Sequence, residues 1–64
     1  MATEMNRLIR MRELRSVVGL GHSQIYLLVA KNKFPKPVQI SERAVGWRSD
    51  EIEEWIDARE RVKY

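Results

Sequence analysis

Two prolines one residue apart, Pro35 and Pro37 in the stretch K-F-P-K-P, constrain this 64-residue chain more than any other feature. Proline lacks a backbone N–H and disfavours helix in the residue before it, so no helix runs through positions 33–37. The hydrophobic period changes across that break. Before it, apolar residues recur every three or four positions, as on a helix. After it, V-Q-I and V-G-W-R alternate, as on a strand. A chain this short buries only about 60% of the surface its unfolded form exposes, so both halves have to share one small core.

In the first half, Met11, Leu14, Val17 and Val18 fall on one helical face and predict a helix over 11–18. Gly19 ends it, because the residue past a helix commonly takes a positive φ. Leu20 and Gly21 follow, and a second helix is predicted over 22–31, with Asn32 as a left-handed stop. A three-residue turn, G-L-G, between two short helices is the mark of a helix-turn-helix. Gly21 serves as N-cap without a side-chain oxygen, and Gln24, three residues on, partly compensates as half of a capping box. Leu8 and Ile9 form a short strand or an extended lead-in. Residues 1–6 are expected to be a disordered tail, and residues 7–64 a single domain.

In the second half, Phe34 is expected to anchor the proline loop to the core. Val38-Gln39-Ile40 and Val45-Gly46-Trp47-Arg48, joined by S-E-R-A, predict a β-hairpin, which is too small to stand without the helices. Ser49 is the expected N-cap of a third helix, with Asp50 and Glu51 suiting the positive end of its dipole. Ile52, Trp55 and Ile56 form its buried stripe, and Arg59, Arg61 and Lys63 gather at its C-terminal end. Both tryptophans are read as core. The order helix, turn, helix, hairpin, helix predicts a mainly α fold with a small β-hairpin, a winged helix-turn-helix.

The charge is divided along the chain. Residues 1–48 carry nine Lys/Arg against three acids, and residues 49–64 carry three against six. The front is expected to face a polyanion and the acidic third helix to face away from it. The absence of cysteine excludes disulfides and thiolate metal sites. No paired nucleophile and base, glycine-rich phosphate loop or metal cluster is legible, so neither enzyme activity, cofactor nor small-molecule ligand is expected. No stretch approaches the roughly 18–20 apolar residues of a membrane span. With no secretory signal at its start, the chain is expected in the cytoplasm, with no membrane partner.

The second helix offers more than a core requires. Ile25, Leu28 and Val29 form its apolar stripe. His22, Ser23, Tyr26, Leu27 and Ala30 occupy a separate arc of about 140°, with Gln24 and Lys31 at its margin. Such a face suits the major groove of double-stranded DNA. Ser23 and Gln24 can bond base edges, Tyr26 can reach a phosphate, and Leu27 and Ala30 can lie on thymine methyls. Each has a structural alternative: a helix-start role for Gln24, a ring packed on the wing for Tyr26, a stray surface leucine for Leu27. Arg10, Arg12, Lys31, Lys33, Lys36, Arg43 and Arg48 are the candidates for phosphate contacts, which fix register without reading sequence. Arg43 sits in the hairpin turn, where a wing tip reaches the DNA backbone. Arg48 has the alternative of pairing with Asp50 or Glu51.

Together these pieces resemble the AlpA family of prophage regulators, which are similar to excisionases and to the winged-helix DNA-binding domain of the MerR group. The resemblance covers about 7–56: R-L-I-R-M-R-E-L at 7–14, G-L-x-x-S-x-I-Y at 19–26, F-P-K-P-V at 34–38, R-A-V-G-W at 43–47 and D-E-I-E-E-W-I at 50–56. It implies sequence-specific DNA binding, with activation of an integrase gene, help with excision, or both. Ser23, Tyr26 and Arg43 are the matching site positions. The chain departs from the family pattern at Gly21, often Ser, at His22, often Arg, and at Leu27, often basic, so its second helix is less basic than the resemblance implies. A module this small covers little DNA, so further copies of the chain on repeated sites are expected partners, with an integrase or recombinase, or RNA polymerase, beside them. The competing reading is a protein-interaction module whose free face docks a recombinase or polymerase subunit without strong DNA affinity.

Overall fold

A computed structural model describes residues 6–63. The expected N-terminal tail therefore lies, apart from Asn6, outside the described residues. The elements are β1 (Leu8–Ile9), α1 (Met11–Val18), α2 (His22–Ala30), β2 (Val38–Ser41), β3 (Ala44–Arg48) and α3 (Ser49–Asp57). Three helices and a small antiparallel sheet make a winged helix-turn-helix.

The turn between α1 and α2 forms as its glycines dictate. Gly19 takes φ 75° and its N–H donates to the Arg15 carbonyl. Gly21 is the N-cap of α2, with no side-chain hydrogen bond. Gln24 finds no hydrogen-bond partner among the described residues, so the expected half capping box does not form. At the other end of α2, Asn32 takes φ 59°. Its N–H donates to the Val29 carbonyl at 3.0 Å, and the Lys33 N–H donates to the Leu28 carbonyl at 2.8 Å. These two bonds are a Schellman motif, which satisfies carbonyls the helix leaves open and turns the chain toward the prolines.

The sheet has the order β1-β3-β2. The hairpin pairs Val38 with Gly46 and Gln39 with Val45, and a register shift between Gln39 and Ser41 leads into the turn. Leu8 and Ile9 pair with Arg48 and Trp47, so the lead-in is a strand and the wing has three strands rather than two. Gly46 is buried where these strands meet. A Cβ there would lie 2.7 Å from the Ile40 Cδ1 and 3.1 Å from the Ile9 carbonyl oxygen.

The core takes one side chain from every element except β2, and one from the proline loop: Ile9 from β1, Leu14 from α1, Ile25 from α2, Phe34 from the loop, Trp47 from β3 and Ile52 from α3. The proline loop is clamped by aromatics. The Trp47 indole N–H donates to the Pro35 carbonyl and the Trp55 indole N–H to the Lys33 carbonyl, each at 2.8 Å. Phe34 stands edge-on between the two rings, with centroids 6.5 Å from Trp47 and 4.8 Å from Trp55.

Three expectations about the helices need correction. Ile56 was expected in a buried stripe and is instead 39% exposed, and Val17, on the apolar face of α1, is 45% exposed. Six short segments close over only the centre of each stripe, and residues at its margin stay wet. Ser49 is the first helical residue of α3, and Arg48 is the N-cap. The Ser49 hydroxyl accepts the Arg7 N–H at 3.0 Å while the Ser49 N–H donates to the Arg7 carbonyl at 2.8 Å, so the β1–β3 ladder claims this serine. The Asp50 carboxylate accepts the Glu51 N–H of the first turn instead, at 2.9 Å. Finally, α3 stops at Asp57, so Arg61 and Lys63 lie beyond it. Arg59 alone serves the helix end: its guanidinium donates to the Trp55 carbonyl at 3.2 Å and lies 4.4 Å from the Trp55 ring centroid.

Candidate nucleic-acid interface

Packing of Ile25 against the core turns the remaining face of α2 outward. His22, Ser23, Gln24, Tyr26, Leu27, Ala30 and Lys31 are all exposed. Tyr26 and Leu27 each keep 47% of their surface open. Tyr26 is held from behind, its ring centroid 6.2 Å from that of Trp47 and tilted by 53°. The wing-packing role and an outward hydroxyl are thus compatible in one residue. The first-turn N–H groups of α2 face solvent behind a glycine N-cap, a partial positive charge that favours an anion.

Two segments distant in sequence meet beside Tyr26 of α2. Arg10 is the N-cap of α1, Arg12 lies in its first turn, and Arg43 is in the hairpin turn between β2 and β3. With Tyr26 and Val45 they line one open groove of 430 Å³. A second groove of 510 Å³ runs along the helix-turn-helix turn, lined by Arg12, Arg15, Ser16 and Gly19 to Gly21. Arg12 belongs to both, so the wing tip, the start of α1 and the start of α2 border a continuous basic surface. Like charges held this close repel, and a polyanion removes that repulsion. The turn carrying Arg43 is steadied by the Gln39 amide, which donates to the Ser41 and Ala44 carbonyls.

Other sequence candidates lie elsewhere. Arg48 pairs with Asp50 in two hydrogen bonds of 3.3 and 3.4 Å, the alternative its position offered. The hydrogen bond from Arg48 holds the Asp50 carboxyl below the usual carboxylate range. Lys36 lines a different groove with Glu51 and Glu54 of α3. Lys31 and Lys33 are exposed at the end of α2, and the Lys33 carbonyl is committed to Trp55. Arg15, which lines the second groove, was not among the sequence candidates. Its spacing of three from Arg12 was the available signal, since positions three apart share a helix face. Arg7 also has a partner that sequence gave no sign of: it forms a two-pronged ion pair with Glu13, one arm at 3.0 Å. That hydrogen bonding keeps the Glu13 carboxyl below its ordinary range. No group of metal-ligating side chains gathers among the described residues. No helix there is long and apolar enough to cross a membrane.

The family model described as prophage CP4-57 regulatory protein (AlpA) matches residues 7–60. The chain belongs to the AlpA family of prophage regulatory proteins. Membership supports a phage regulatory role. It is also similar to the uncharacterized protein ORF88 of Enterobacteria phage P4, at 34% identity over 53 residues, covering 83% of this chain and 60% of that relative's length. No solved structure matches the chain.

Proposed function

We propose that this member of the AlpA family binds double-stranded DNA sequence-specifically in the cytoplasm and so regulates phage or prophage genes. The convergence of Arg10, Arg12 and Arg43 with Tyr26 in one open groove carries this reading, because two segments distant in sequence, the start of α1 and the hairpin turn, present the same charge beside the outer face of α2. The outer face of α2 enters the major groove, where Ser23 and Gln24 read base edges. The arginines and the wing tip hold the phosphates on either side. His22 and Leu27 complete the helix face, and Lys31 and Lys33 extend the positive charge past its end.

The regulatory outcome we propose is activation of an integrase gene, assistance to excision, or both, with an integrase or recombinase, or RNA polymerase, as protein partner. A single module of this kind covers roughly 600–1,000 Å², so high specificity requires further copies on neighbouring repeats.

Fluorescence anisotropy across a salt series tests the proposal, using a random duplex and duplexes from the gene neighbourhood of the chain. Each arginine seated on a phosphate contributes about −0.9 to the slope of log affinity against log salt. Ser23→Ala is expected to weaken only the preferred duplex. Failure to bind any duplex at low salt would sink the proposal and favour the protein-docking reading, to which the exposure of Tyr26 and Leu27 lends itself.

A further inference from the structure

A third groove, of 560 Å³, lies at the root of the wing and shares no residue with the arginine-lined grooves. Its apolar walls are Pro37, Val38 and Trp55, and Glu51, Glu54 and Lys36 stand at its edge. The walls are preformed. Trp55 is fixed by its indole bond to the Lys33 carbonyl and by Phe34, 4.8 Å away between ring centroids. The two prolines stiffen the facing side. A groove that does not have to be ordered on binding keeps more of the interaction free energy for the partner.

The charge of the groove selects its occupant. Glu51 and Glu54 are three residues apart on one face of α3. Among the described residues the ion pairs are Arg7 with Glu13 and Arg48 with Asp50, so neither glutamate is neutralised by one. From Ser49 to Asp57 the helix carries five acids and no Lys or Arg. The lining itself holds two glutamates against one cation, Lys36, while Arg59 is engaged on the Trp55 ring. Nucleic acid is repelled from such a surface, whereas a cationic peptide is attracted.

We propose that this groove docks a basic segment of a partner protein. One aliphatic or aromatic side chain of the partner seats against Pro37, Val38 and Trp55, and flanking Lys or Arg side chains meet Glu51 and Glu54. Because the groove and the basic surface have no residue in common, the chain can engage DNA and this partner through different faces.

The test is an NMR titration of the isotope-labelled full chain with the peptide acetyl-Lys-Arg-Leu-Lys-Arg-amide. The expected result is a set of shift changes at the Trp55 indole, Lys36 and Val38. Replacing the peptide leucine by glycine is expected to weaken binding about tenfold or more, the loss of one buried apolar side chain. The double variant Glu51→Gln, Glu54→Gln is expected to weaken the peptide about tenfold and leave DNA affinity unchanged. Equal binding of the glycine peptide, shift changes at the arginine-lined grooves, or none at millimolar peptide would each overturn the proposal. So would self-association of the chain that the double variant abolishes, which would assign the groove to a second copy. The peptide titration is read without DNA, so its outcome stands whether or not the DNA reading survives.

Discussion

The two ends of the wing are built on opposite principles. At the root, Trp47, Trp55 and Phe34 clamp the proline loop with two indole hydrogen bonds and two edge-on ring contacts. At the tip, Glu42 and Arg43 are exposed, and the turn is held by one glutamine amide. The aromatic rings of the root are committed to holding it together, and the tip leaves its cation free. Stability and the proposed contact with DNA are therefore separated by a few residues along the same strands. Damage at the root is expected to be read as unfolding, and damage at the tip as lost binding in a fold that stays intact.

Phe34→Ala breaks the root most severely. It removes the ring between the two tryptophans and is expected to cost about 3–5 kcal/mol, enough to leave a protein of this size largely unfolded. Urea denaturation followed by tryptophan fluorescence measures this; a loss below 1 kcal/mol would show that the clamp is ornamental. Trp47→Phe keeps an aromatic ring but orphans the Pro35 carbonyl. The expected loss is about 1–3 kcal/mol by the same measurement. Arg43→Ala should change stability by less than about 0.5 kcal/mol, as for an exposed site. Its effect appears in anisotropy, as weaker binding to every duplex and a salt slope shallower by about 1. If Arg43→Ala unfolds the protein, or weakens one duplex alone, the division between root and tip fails.

The smallest expected effect is on pH dependence. Glu13 and Asp50 have carboxyls lowered by hydrogen bonds to Arg7 and Arg48. A group with a lowered folded-state pKa stabilises the fold above its unfolded value, about 4, and that contribution disappears as pH falls through the folded value. Both pairs are exposed, so the midpoint of thermal unfolding should drop only slightly between neutral pH and pH 4 and more below it. A Glu13→Gln, Asp50→Asn variant should lack that part of the acid sensitivity, which thermal melts across the pH range will reveal.

Much of this arrangement was legible in the sequence, for identifiable reasons. Gly19, Gly21, Asn32 and the prolines punctuate the chain so sharply that the limits of α1 and α2 follow within a residue. The outward face of α2 followed from the apolar stripe of Ile25, Leu28 and Val29, because a helix that packs one stripe on the core turns the opposite side to solvent. Pairings between segments were not legible. Two residues, Leu8 and Ile9, are too few to show a strand period, so the third strand and its claim on Ser49 could not be read. Val17 and Ile56 occupy apolar positions, and only the assembled fold shows how narrow the covered stripe is. The candidate site divides the same way. Arg10, Arg12, Tyr26 and Arg43 converge, whereas Arg48, equally cationic in sequence, pairs with Asp50, and Lys36 lines a separate groove beside α3.

A core whose six side chains come from six different segments has a consequence for how the molecule opens. No pair of neighbouring segments holds enough of the core to survive alone, so a partly open form gains little over the unfolded chain. Backbone amides of α1, α2 and β3 are then expected to exchange with solvent on a single clock, set by global unfolding rather than by local fraying. Any ligand that grips the folded form slows that clock throughout the core at once, including at Leu14 and Ile52, which no ligand touches.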